Sequence, residues 1–285
     1  MGFKKSFIHF IYLLKERNFE DIRRISRYYY LDKFLRKICI FKIRLGSKLN
    51  PPKKLHTCPS CGKSFPYFYP IVAGDSISYN VQCPHCNSYE RHRAQWLYYT
   101  KETTIFTSEK PVAILHCAPE KLFFTQFYEN PNVDYYPVDK WEGYTVCGKK
   151  MRDYVDITKL PYAEDMFDYI LCNHVLEHIE DEQAALFELK RVLKPDGYAF
   201  LNVPIDPSME ETLENPAYNT YALRLKYYGQ CDHVRKYGLD YQKRLEKAGF
   251  IVTCIVVNEY FTPQQIEQYG LLANDRLYFC QKKNK

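Results

Sequence analysis

The sequence predicts an α/β protein built on an open, doubly wound parallel sheet, preceded by a small metal-stabilised module and a basic helical arm. Two stretches carry that prediction. From Phe167 to Val203, a strand-like apolar run, a helix-periodic run and a second apolar run follow one another, the repeating unit of a parallel sheet. Upstream, Cys58-Pro59-Ser60-Cys61 and Cys83-Pro84-His85-Cys86 form two CxxC knuckles, a spacing that suits a tetrahedral four-thiolate site. A hydrophobic content of 46% in 285 residues supplies a packed core and excludes global disorder.

The arm, residues 1–50, holds seven Lys and six Arg against four acids, a balance of +9 that exceeds the +6 of the whole chain. Basic character therefore belongs to this segment. Phe3, Phe7, Phe10, Ile11 and Leu14 share one helical face, suited to docking on the protein itself or to lying on an anionic membrane surface. Arg23, Arg24, Arg27 and Tyr28 to Tyr30 interleave charge with aromatic rings, a composition that can also stack on nucleic-acid bases. The apolar stretch Ser6 to Leu14 is too short for a span, and no small-residue cleavage site follows it. Eleven cysteines, seven of them scattered outside the knuckles, argue against a secreted disulfide framework. The expectation is a cytoplasmic protein, with peripheral contact at the inner membrane surface through the arm as a candidate interaction.

Asn50-Pro51-Pro52-Lys53-Lys54 reads as a linker into a second segment, residues 55–100. Cys58, Cys61, Cys83 and Cys86 are its expected Zn2+ ligands. Four protein ligands leave no open position, so the zinc is structural, and much of the folding energy of so small a module comes from it. His56 and His85 read as bystanders. A helix from Ser88 to Tyr99 follows, with Arg91, His92 and Arg93 as a solvated helix start or an anion-facing cluster.

The main domain, residues 108–285, opens with the buried-strand run Pro111 to His116, then Cys117-Ala118-Pro119-Glu120 and a helix carrying Leu122, Phe123 and Phe127. Val133 to Asp139 is the second strand, and Asp153 to Asp156 leads into a third. Phe167 to Cys172 is the fourth, with Asn173 and His174 at its end. Asp181 opens the next helix, acids in its first turn and Lys190, Arg191 and Lys194 near its last, as the helix dipole favours. Pro195-Asp196-Gly197 stops it, and Tyr198 to Val203 is the fifth strand. Residues 206–216, with Asp206, Glu210, Glu211 and Glu214, read as an irregular acidic insertion. Asp232, His233 and Arg235 then cluster before a helix from Leu239 to Lys247, capped by Gly249. Phe250 to Val257 and Leu277 to Cys280 are the last strands.

These residues in this order resemble class I S-adenosylmethionine-dependent methyltransferases (type 11-like). Asp156 with Leu160-Pro161, Phe167-Asp168 and Leu193-Lys194-Pro195-Asp196-Gly197 match successive segments of the second half of that domain. The resemblance implies a Rossmann-like seven-stranded sheet and S-adenosyl-L-methionine as cofactor. It implies cofactor contacts from His116, Ala118, Glu120, Asp139, Asp156, Ile157 and Asn173, with Asp139 on the ribose and Asp156 on the adenine side. Ala118 stands where the family has its first glycine, and Pro119-Glu120 replace the rest of that loop. The pattern L-H-x-A-P-E, with the cysteine ribbon and D-H-V-R-x-Y-G, resembles a bacterial subgroup of these enzymes.

The function expected is O-methylation of a sugar or glycan hydroxyl, with His233 or His174 as base and Arg235 and Asp232 contacting the acceptor. The rivals are a zinc-ribbon nucleic-acid-binding protein with a degenerate methyltransferase domain, and a nucleic-acid methyltransferase. Cys172-Asn173-His174 stands where an Asn/Asp-Pro-Pro-Tyr motif for base amines would be, which disfavours amino-N-methylation.

Overall fold

A computed structural model describes residues 19–50, 54–73 and 76–282, without side chains for 19–30 and 72–76. The expected apolar face of Phe3 to Leu14, the basic-aromatic side chains of residues 23–30 and linker residues 51–53 lie outside that description. The chain folds as two compact units, residues 1–90 with 267–270, and residues 91–266 with 271–285.

In the first unit, α1 (Phe19–Leu49) is a single long helix. Arg36 donates to the Pro70 carbonyl at 2.8 Å, tying α1 to β3 (Tyr69–Ala73). Leu31, Phe34, Phe41, Leu45 and Leu49 lie along another stripe of the helix and are exposed. β3 pairs antiparallel with β4 (Ser76–Gln82), and β1 (His56–Thr57) with β2 (Ser64–Phe65). The buried core here is Cys58, Phe68 and Cys83, flanked by Cys61, Phe65 and Cys86. So few apolar residues make a weak core by themselves.

The second unit starts in the first turn of α2 (Glu90–Glu102) and holds the large sheet. Its strands are β5 (Val112–Cys117), β6 (Val133–Asp139), β9 (Asp153–Tyr154), β10 (Phe167–Asn173), β11 (Leu193–Asn202), β12 (Phe250–Val256) and β13 (Arg276–Lys282). β7 (Thr145–Val146) and β8 (Lys149–Lys150) form a separate hairpin between β6 and β9. The sheet order is β12-β13-β11-β10-β5-β6-β9. Every pair is parallel except those of β13, which runs antiparallel to both β11 and β12. β5 and β10 are buried almost throughout, which explains their unbroken apolar runs: helices cover both faces.

The crossovers are α3 (Lys121–Tyr128), α4 (Glu182–Val192) and, after the short α5 (Tyr221–Tyr228), α6 (Tyr241–Lys247). α7 (Val257–Tyr260) and α8 (Pro263–Tyr269) connect the last two strands. Asp181 caps α4 by accepting from the Ala184 N–H at 2.9 Å. Its apolar face, Ala185, Leu186, Leu189 and Val192, enters one core cluster with Leu115, Ile170 and Leu201. α4 ends two residues earlier than the sequence suggests, at Val192 rather than Lys194, because Leu193 already pairs with Phe167 in β11. Pro195-Asp196-Gly197 is then a bulge inside the strand, and a Cβ on Gly197 would lie 3.0 Å from the Asp168 carbonyl oxygen. No helix among the described residues is long and apolar enough to cross a membrane.

Candidate functional site

Chain order reverses between β5 and β10, so the crevice at their carboxyl ends is where an open α/β sheet takes a ligand. The register aligns Cys172, Cys117, Val138 and Asp153 across the four strands β10, β5, β6 and β9. One step further, Asn173, Ala118, Asp139 and Tyr154 stand along that rim.

Ala118 is in the left-handed region, φ 48°, and donates its N–H to the Val138 carbonyl at 2.8 Å. That conformation costs an L-residue about 1–2 kcal/mol, and it is the one glycine adopts freely. Behind it, His116 is fully buried with both ring nitrogens engaged. Nε2 is 2.8 Å from Glu120 Oε2 and Nδ1 is 2.8 Å from the Tyr135 hydroxyl. His116 thus holds Glu120 rather than facing the crevice. Burial alone would raise the Glu120 carboxyl, but the hydrogen bond and charge of His116, reinforced by His92, hold it below the usual carboxylate range.

Asp139 is buried, and its Oδ1 accepts from the Trp141 N–H at 2.9 Å. Asp156 is exposed and closes its own turn, accepting from the Thr158 N–H at 2.9 Å and its hydroxyl at 2.8 Å. Those bonds, the backbone one foremost, hold the carboxyl low. Ile157 is buried in the main core cluster. Asn173 accepts from Asn202 Nδ2 at 2.7 Å, while its own buried Nδ2 has no hydrogen-bond partner among the described residues. The buried Tyr99 hydroxyl, likewise without a hydrogen bond of good geometry, interacts with the Asn173 side chain.

His174 follows, also left-handed at φ 54°, with 30% of its side chain exposed and Nδ1 3.5 Å from Glu177 Oε1. Glu177 is buried, and its Oε2 has no hydrogen-bond partner among the described residues. The segment 232–235 comes to the same place: Val234 donates its N–H to the Glu177 carbonyl at 2.8 Å. His233 is 5% exposed, its ring edge-on to His178 at 4.7 Å. Burial, then the neighbouring His178, lowers the His233 pKa.

Arg235 corrects the sequence expectation of a substrate-facing cation. It is fully buried, donating to the carbonyls of Leu176, Ile179 and Glu180 at 2.8, 2.6 and 3.0 Å and to Glu214 at 2.6 Å. It is a clamp on the loop after β10. The acidic insertion is likewise pinned, through Leu213 paired with Lys236 and Lys236 bridged to Asp206 at 2.6 Å. Asp232 is half exposed and turns its carbonyl and carboxylate to His178 Nδ1 at 3.1 and 3.4 Å. The motif glycine, Gly238, is demanded by crowding: a Cβ there would meet the Met209 and Glu211 carbonyl oxygens at 2.7 Å.

Of the two readings of the helix start, the solvated one is excluded for two residues. His92 and Arg93 are buried, not a solvated helix start, and His92 Nε2 lies 3.9 Å from Glu120 Oε1. Glu177 was passed over, although its place between His174 and His178 was visible in the sequence.

In the first unit the four knuckle thiols converge, all within 4.8 Å of one another. Cys58 and Cys86 sulfurs are 3.5 Å apart, Cys61 and Cys83 3.9 Å. A tetrahedral zinc with bonds of about 2.3 Å needs sulfurs about 3.8 Å apart, so the donor set fits zinc. The side chains of Cys83 and Cys86 favour the Cys58 thiolate, the form that binds metal.

Residues 133–201, from β6 into β11, match the family model of a methyltransferase domain. An uncharacterized methyltransferase of Schizosaccharomyces pombe is 52% identical over 42 residues, 15% of each chain. A demethylmenaquinone methyltransferase of Mycolicibacterium paratuberculosis is 45% identical over 42 residues, 15% of this chain and 18% of that one. These alignments therefore span less than a fifth of either curated relative. The solved structure of the YcgJ protein from Bacillus subtilis aligns with 68% of this chain and all of its own, at 16% identity and a TM-score of 0.42.

Proposed function

We propose that this chain, which carries a class I methyltransferase domain, uses S-adenosylmethionine to methylate a hydroxyl of a sugar or glycan. The rim of Asn173, Ala118 and Asp139 at the point where the strand order reverses carries the reading. The residues fit the cofactor in kind. Ala118 takes a left-handed conformation that glycine adopts freely, with the smallest side chain that could replace one. Asp139 offers a carboxylate at the end of β6 for ribose hydroxyls, and Asn173 has a buried amide donor to spend. Asp156 and Ile157 are assigned to the adenine side, with His116 and Glu120 shaping the loop from beneath.

When bound, S-adenosylmethionine supplies a methyl group already activated by its sulfonium. What remains for the protein is to align an acceptor oxygen and to take its proton. We assign the base to His174 rather than His233. His174 is partly exposed at the end of β10 and has a buried carboxylate on Nδ1, which orients the ring and leaves Nε2 for the acceptor. His233 sits in a more enclosed position against His178.

The experiment is methyl transfer from labelled S-adenosylmethionine to a panel of monosaccharides and glycans, with His174→Ala alongside wild type. Turnover of a hydroxyl acceptor should fall about 10²–10⁴-fold in the variant, with cofactor affinity kept. Unchanged turnover removes His174 as the base. Label reaching only nucleic acid or amines removes the hydroxyl acceptor.

A further inference from the structure

We propose that Glu177, His178 and His233 form a second metal site, distinct from the cysteine centre, that binds a divalent first-row transition ion such as Zn2+. One ligand atom from each lies within 4.8 Å of the others. Bonds of about 2.0–2.2 Å put the donors of a tetrahedral ion about 3.3–3.6 Å apart, so the three side chains would close by at most about 1.5 Å on binding. Two imidazoles and a carboxylate suit zinc and its neighbours rather than calcium or magnesium, and they leave coordination positions open.

Two of the three donors, His178 and Glu177, already have the outer partner that a metal ligand needs. The Asp232 carbonyl and carboxylate lie 3.1 and 3.4 Å from His178 Nδ1, which fixes that proton and leaves the lone pair on Nε2. His174 takes one oxygen of Glu177, and the other, Oε2, is buried without a hydrogen-bond partner among the described residues. The backbone is held as well. Val234 is bonded to the Glu177 carbonyl, and buried Arg235 ties three carbonyls of the 176–180 loop to Glu214. A buried carboxylate and a buried imidazole, from segments some 55 positions apart, meet here in a clamped frame. Resting on the reading above, the open positions would take neighbouring hydroxyls of the acceptor and lower the pKa of the one that His174 deprotonates.

The full-length chain would be equilibrated with Co2+ or Zn2+, dialysed and analysed for bound metal, with S-adenosylmethionine affinity measured on the same samples. Wild type should hold two equivalents. His178→Ala, and independently Glu177→Gln, should hold one, with the second bound at least tenfold more weakly and cofactor affinity kept. Cys58→Ser with Cys61→Ser should lose the other equivalent only. A single equivalent in wild type, abolished by the cysteine variant, overturns the proposal, as does a second equivalent that survives both Glu177→Gln and His178→Ala. Loss of the cofactor reading would appear separately, as absent S-adenosylmethionine binding in wild type.

Discussion

Ala118 and His174 stand just past the ends of the adjacent strands β5 and β10, both left-handed, φ 48° and 54°. Both strand ends turn sharply at the rim of the crevice. For Ala118 the left-handed φ has a direct consequence. Ala118→Gly should keep cofactor affinity and raise stability by up to about 1 kcal/mol in urea denaturation, since glycine adopts this φ without strain. Ala118→Val should lose at least that much; equal stability in all three proteins would remove strain from the account. His92 gives a pH test. Burial, then the nearby Arg91 charge, pushes its pKa down to about 3. Below about pH 6.5 the unfolded chain gains a proton that native His92 refuses, so stability falls as pH drops from there towards 3. The slope at its steepest is about 1.4 kcal/mol per pH unit. His92→Gln should flatten the fall measured between pH 7 and pH 5; an unaltered slope would place the acid sensitivity elsewhere.

At the scale of elements, the core cluster of the cysteine module among the described residues is Cys58, Phe68 and Cys83, so a zinc on the four thiols is expected to supply much of its folding energy. Strong chelation, or Cys58→Ser, should strip the cysteine-bound zinc and open residues 54–90 to protease. The large sheet should keep its circular dichroism, having its own core; resistance of 54–90 after zinc loss would mean that other contacts hold the module. The strands were legible because both faces of the sheet are covered, which writes β5 and β10 as unbroken apolar runs. Asp181 was legible as a cap for the same local reason, a short acceptor ahead of a periodic run. The Pro195-Asp196-Gly197 turn was legible, but its incorporation into β11 depended on pairing with β10, which no local pattern records.

For the whole molecule, what could not be read locally is what the fold brings together. Arg235 was expected to contact the acceptor, yet it is buried by four acceptors, three of them backbone carbonyls of residues 176–180. His178 and His233 belong to segments on opposite sides of β11 and α5, and meet only once Val234 is bonded to Glu177. Asp139, by contrast, was placed by chain order alone, as the last residue of the second strand of the main domain. It is therefore the residue on which the cofactor assignment turns. The most direct measurement is calorimetric titration of the zinc-loaded chain with S-adenosylmethionine, beside Asp139→Ala. Micromolar binding by the native chain, weakened at least tenfold in the variant, is the expected result; no binding at millimolar ligand, or equal binding by both proteins, would contradict it.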